Sequence, residues 1–206
     1  MIAGYHIIFG AYGFWLPNDP RGSWSKFVGS WDLFKYGPAT QTTERRSLAH
    51  REHDGALRIS AKSALKYPAV KFTGVQARAV GRGFAGYVGQ SGLKIFACAI
   101  LPDHVHLVTG PVEMEIDQLV IQLKGEATQA MEREGIHPMA RWREARSGRA
   151  PNCWVRGQWK VYLDPGDMER AIRYVEANPL KEGKKRQVWS FVIPWEGGER
   201  SASRRG

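Results

Sequence analysis

Two histidines and a later tyrosine carry most of the chemistry this chain could do. His104-Val105-His106 lies within Ala99-Ile-Leu-Pro-Asp-His-Val-His-Leu-Val108. The β-branched, apolar run after Asp103 reads as a strand. Side chains alternate faces along a strand, so His104 and His106 project from one face while Val105 and Leu107 take the other. Paired imidazoles suit a divalent metal, and a metal on a basic protein suits phosphate chemistry. Alone, the pair fits equally well two ordinary histidines, one hydrogen-bonded and one on the surface.

The second informative stretch is Asp164-Pro-Gly-Asp-Met-Glu-Arg-Ala-Ile-Arg-Tyr-Val-Glu-Ala-Asn178. Asp164 suits an N-cap, Pro165 the first helical position, and Asn178-Pro179 a helix end. Met168, Ala171, Ile172 and Val175 form one apolar stripe that must face a core. Tyr174 falls about 100° or more from the centre of that stripe, with Asn178 one turn further on the same flank. A phenol and a carboxamide at the border of a buried face look into a cleft. A tyrosine can attack a phosphodiester and form a 5′-phosphotyrosine, given a Lewis acid on the phosphate and a basic surface for the strand. The two histidines plus the Asn178 carbonyl oxygen would make a mixed nitrogen and oxygen set suited to Mg²⁺ or Mn²⁺.

These residues need a scaffold, and the chain offers one. Strands are expected over 5–12, 94–100, 104–109 and 154–163, with a break at Pro102-Asp103. Helices are expected over 76–89, stopped by Gly92, over 116–134 and over 164–178. Residues 24–69 show no clean period, apart from a charged helix expected over 43–53. Residues 15–70 therefore read as an insertion in a single domain of residues 1–183. A basic tail of residues 184–206 follows, in part disordered.

Composition narrows the function. Thirty Lys/Arg against twenty Asp/Glu give a net charge of +10, which points to a polyanionic partner. Cys98 and Cys153 are far apart and flanked by apolar residues, as reduced core cysteines are. No signal-peptide layout and no apolar run long enough to span a bilayer is present, so a soluble cytoplasmic protein is expected.

Three blocks resemble one family, the single-tyrosine HUH transposases, which include insertion-sequence and REP-associated tyrosine transposases. Residues 96–108 look like that family's histidine-pair strand. Trp154-Val-Arg-Gly-Gln-Trp159 resembles its Trp-rich strand. Arg173-Tyr-Val-Glu-Ala-Asn-Pro-Leu-Lys-Glu-Gly183 looks like its tyrosine helix. The resemblance implies a ferredoxin-like α+β sandwich with a central antiparallel sheet and helices packed on it. It implies Tyr174 as nucleophile and His104, His106 and Asn178 as ligands of Mg²⁺ or Mn²⁺. The implied partner is single-stranded DNA, folded as a hairpin, and the implied reaction is cleavage and strand transfer, with a homodimer possible.

Two departures stand out: Asp103 replaces the Asn often found before the histidine pair, and Lys160-Val161 replaces an Asp-His pair. Lys124, Arg141, Arg143, Arg156 and Lys160 are candidate DNA-binding residues. Trp15, Arg21, Trp24, Lys26 and Trp31 of the insertion could stack on bases and hold phosphates, or simply cover the sheet. Two other readings remain: a DNA-hairpin-binding protein without cleavage, and a relaxase or replication-initiator nickase.

Overall fold

A computed structural model describes residues 2–19, 28, 31–38 and 52–197. Four antiparallel strands form one sheet: β1 Gly4–Gly10, β2 Ile95–Ile100, β3 His104–Thr109 and β4 Trp159–Leu163. Their order across the sheet is β2-β3-β1-β4. Five helices accompany them: α1 Trp31–Phe34, α2 Gly55–Ser63, α3 Gly74–Ser91, α4 Ile116–Arg133 and α5 Pro165–Lys181. With α3 between β1 and β2, and α4 between β3 and β4, this is the expected ferredoxin-like α+β sandwich. The helix α5 is added on the opposite face.

Strand parity divides the molecule into two cores. Ile7 and Phe9 of β1 and Val105 and Leu107 of β3 face α3 and α4, meeting Val80, Phe84, Leu119 and Leu123. The alternate positions face α5, where Ala97, Ala99, Val108 and Leu163 meet Met168, Ala171 and Val175. Small sheet residues let α5 lie close. The pairs His6↔Val108 and Ile8↔His106 set the register. His6, His104 and His106 thus share the α5 face.

Local signals explain the element ends. Thr73 and Gln76 form a capping box on α3, and Gly92 closes it in the left-handed conformation. A Cβ at Gly83 would lie 2.6 Å from the α4 backbone, so glycine there lets α3 and α4 pack closely. A turn at Pro102-Asp103 joins β2 to β3, with Leu101 N–H donating to His104 O at 2.8 Å.

Two expectations need correction. The strand expected over 154–163 is shorter: β4 starts at Trp159, and Trp154 makes only an isolated bridge to Ala11. The reason lies between them, where Gly157 takes φ +74° and the Lys124 ammonium donates to Val155 O and Gly157 O. Those carbonyls are spent on a side chain instead of a ladder. Second, α5 does not stop at Asn178 but runs through Pro179 to Lys181. Proline lacks one N–H, so only the bond to Val175 O is lost, and both Asn178 and Pro179 are buried. The start of the tail packs on the sheet: Gln187 bonds both backbone groups of Ile100, and Ile193 N–H donates to Ile95 O, while residues 198–206, where the disordered end is expected, lie outside the described residues. These contacts cover the free edge of β2. Of the charged helix expected over 43–53, residues 43–51 lie outside the described residues, and 52–53 are not helical.

Candidate active site

The α5 face of the sheet carries the histidines side by side. His104 and His106 ring centroids lie 4.9 Å apart. A third histidine joins them from β1: His6 Nε2 lies 3.1 Å from His106 Nδ1. Tyr174 reaches over from α5, its ring 5.8 Å from both His6 and His106. Trp159 of β4 closes the far side of His6 at 5.3 Å, edge to face. Residues from four elements thus meet at one spot, where a histidine pair lies beside a tyrosine.

Each imidazole has a distinct environment. His104 stacks under Phe14 at 4.6 Å, and a Cβ at Gly10 would collide with Phe14 at 2.6 Å. Glycine there admits the Phe14 ring. His104 Nδ1 is 2.8 Å from Asp103 Oδ1, and an ionised carboxylate only accepts, so Nδ1 carries the proton. Burial disfavours the charged Asp103 carboxyl, yet hydrogen bonds from His104 and Lys71 outweigh it and hold the group well below the usual carboxylate range. Asp103 therefore orients His104. His106 is buried, and burial, followed by the charges of His104, His6 and Lys181, drives its pKa well below normal. Burial likewise lowers His6 to about 4. Both rings are neutral at pH 7 and keep a lone pair for a partner.

Tyr174 is 39% exposed, so part of its side chain is open to solvent. Burial raises its pKa, and the Asn178 carboxamide one turn on pulls it back. That carboxamide is itself buried, and its Nδ2, the atom that can donate to the phenol, closes no hydrogen bond of full geometry. Lys181, another turn along, holds its ammonium 4.4 Å from the Tyr174 ring centre. This last residue depends on α5 continuing past Pro179.

A divalent metal here would need one particular donor set. Among the described residues, no three His, Cys, Asp or Glu side chains group to hold an ion, so a site here needs the Asn178 amide oxygen beside the histidines. With Nδ1 of His104 and of His106 each facing a neighbour, Nε2 is the nitrogen each ring has left for a ligand. The atom of the Asn178 amide without a partner is its Nδ2, a donor; the amide oxygen is the atom that would face an ion.

The candidate DNA-binding residues lie elsewhere. Lys124 is held by two loop carbonyls and sits over Phe9, on the α3/α4 side of the sheet. Lys160 pairs with Asp117 of α4 at 3.1 Å. Arg143 binds Glu132 and Gly148 O, Arg141 stacks on Trp142 at 3.8 Å, and Arg156 is exposed in the loop before β4. None of these contacts involves the histidine cluster. Arg21, Trp24 and Lys26 lie outside the described residues. Trp31 is exposed beside Phe34, and Trp15 packs on Phe14.

His6, Phe14 and Lys181 were not expected at the site. A lone polar residue in the apolar run Tyr5-His-Ile-Ile-Phe9 was the signal for His6, but its meaning depends on strand pairing. Lys181 was hidden by Pro179.

No protein-family model and no curated protein sequence matches the chain. Among solved structures, it is similar to a REP-associated tyrosine transposase bound to a REP hairpin, with 14% identity and a TM-score of 0.46. That similarity covers 93% of this chain and 76% of the other. It is also similar to a crystal structure of a candidate transposase from Deinococcus radiodurans, with 13% identity and a TM-score of 0.35, covering 85% of this chain and 90% of the other.

Proposed function

We propose that this protein cleaves and rejoins single-stranded DNA through a covalent 5′-phosphotyrosine at Tyr174. The observation that carries the reading is the meeting of Tyr174 with His6 and His106, at 5.8 Å, over a face that also holds His104 and the tip of α5. A nucleophile and two potential metal ligands from distant parts of the chain share one spot. The residue motifs and the net charge of +10 point the same way.

His104 and His106 would hold Mg²⁺ or Mn²⁺ through Nε2, and Asn178 through its amide oxygen. When bound, the ion supplies Lewis-acid polarisation of the scissile phosphate. The chain's own residues do the rest. Asp103 fixes the His104 ring. Lys181, against the Tyr174 ring, favours the phenolate as the proton leaves. The Tyr174 oxygen attacks phosphorus in line, the bond to the 3′ oxygen breaks, and that oxygen takes up a proton. Attack by a second 3′-hydroxyl reverses the step, breaking the phosphotyrosine bond and joining strands, so no nucleotide cofactor is consumed. The proposed partner is a single strand carrying a hairpin.

The test is a 3′-labelled oligonucleotide pool of this kind, incubated with Mn²⁺ and resolved under denaturing conditions. The wild type is expected to give a protein-linked label, and Tyr174→Phe none. A label retained by Tyr174→Phe overturns the assignment. Native binding without any adduct favours the hairpin-binding reading.

A further inference from the structure

We infer that His6 is a positioning residue: it accepts a hydrogen bond from His106 Nδ1 and so fixes His106 in the tautomer whose Nε2 is free to bind a divalent metal. This rests on the metal site of the preceding section.

The geometry carries the claim. His6 Nε2 and His106 Nδ1 are 3.1 Å apart, the ring centroids are 5.4 Å apart and the planes differ by 22°. Each ring nitrogen lies a little over an ångström from its ring centre. A centroid separation of 5.4 Å across a 3.1 Å contact therefore requires the two nitrogens to lie almost on the line between centres. The rings meet edge to edge, not face to face, and an N–H of one points along the lone pair of the other. Only one of the two nitrogens can hold the proton.

The choice of donor decides what His106 can do. If His6 donated, His106 would accept at Nδ1 and carry its proton on Nε2, with no lone pair left for an ion. If His106 donates, Nε2 is bare. The second arrangement matches His104, where the Asp103 carboxylate holds the proton on Nδ1 at 2.8 Å and likewise leaves Nε2. Two neighbouring ligands then have the same tautomer, each set by a different partner.

The surroundings keep His6 in place for this task. Its ring is buried and bordered edge-on by Trp159 at 5.3 Å and by Tyr174 at 5.8 Å. A ring so confined holds its Nε2 in one position. His6 thus lies against both a proposed ligand and the proposed nucleophile.

The experiment reads tautomers and affinity separately. Long-range ¹H–¹⁵N NMR of the metal-free protein at pH 7.5 is expected to find His106 protonated at Nδ1 and His6 unprotonated at Nε2. Mn²⁺ titration is then expected to show His6→Phe, which keeps a ring but loses the acceptor, binding about 10- to 100-fold more weakly than wild type. His6→Gln, which restores an acceptor, is expected to recover most of that loss. His106 protonated at Nε2 in the metal-free wild type overturns the inference, as does a His6→Phe protein, folded by circular dichroism, that binds Mn²⁺ normally. A wild type that binds no Mn²⁺ removes the metal reading instead, and the tautomer spectrum still decides the role of His6.

Discussion

A phenol is a weak nucleophile until it loses its proton, and burial makes that loss harder for Tyr174. Asn178 on the same flank works the other way, and the Lys181 ammonium lies 4.4 Å from the ring centre. Lys181→Gln is expected to slow adduct formation about tenfold, equivalent to ~1.4 kcal/mol in the barrier, in single-turnover assays at saturating DNA. An unchanged rate would show that the lysine is only a surface cation. The histidines make a second prediction, for the metal-free protein in chelator. His6 titrates near 6.5 when unfolded and at about 4 when folded. Between those values the unfolded chain binds more protons, so stability falls as pH drops from 6.5 toward 4 and is unaffected by this group above 6.5. The full effect is on the order of 3 kcal/mol for His6, and His106 shifts the same way. Urea denaturation at pH 7.5, 6.0 and 4.5 measures it; equal stability at all three would contradict neutral, buried rings. At this scale the sequence was a good guide where chemistry repeats at short range. The spacing of His104 to His106 and of Tyr174 to Asn178 is a property of one strand and one helix. His6 was not legible because its partner lies a hundred residues away.

Elements explain what the residues alone do not. The glycines of α3 look like liabilities in a helix, yet they are of two kinds. Gly83 faces α4, and a Cβ there would lie 2.6 Å from backbone, whereas nothing lies within 4 Å of one at Gly86. Gly83→Ala is expected to destabilise the protein by about 1–3 kcal/mol through overpacking, and Gly86→Ala to stabilise it by up to about 1 kcal/mol. Thermal melts of both variants check the pair, and effects of the same sign would refute this packing of α3 on α4. The helix periods of α3 and α4 and the hairpin at Pro102-Asp103 were legible, because capping, apolar period and turn chemistry are local. The long strand expected before α5 was not, because a lysine from α4 takes the carbonyls that would have extended it. Nor was the last turn of α5: a proline usually marks a boundary, and only the burial of Asn178 and Pro179 against neighbouring structure shows why this one does not.

Across the whole molecule, the ferredoxin-like sheet separates a structural core from the candidate site. One face is a conventional core under α3 and α4. The other carries three histidines beneath α5, which adds apolar packing through Met168, Ala171 and Val175 and the tyrosine by its next turn. The segment after α5 then returns to cover β2. Gln187→Ala removes both bonds to Ile100 and is expected to cost about 1–2 kcal/mol and to raise aggregation from the uncovered edge, read by light scattering during a melt. Both outcomes absent would mean the tail is not an edge cover. The charge of +10 was legible in full. Its distribution was not: Lys124 and Lys160 are tied into the fold on the face away from the histidines. The most direct measurement of the central claim is peptide mapping of the trapped adduct. Protein incubated with hairpin-bearing single-stranded DNA and Mn²⁺ is digested with nuclease and protease, and the nucleotide-bearing peptide is sequenced by mass spectrometry. The account predicts a nucleotide linked through its 5′-phosphate to Tyr174, absent when chelator replaces Mn²⁺; a modification on any other residue, or none across the pool, would contradict it.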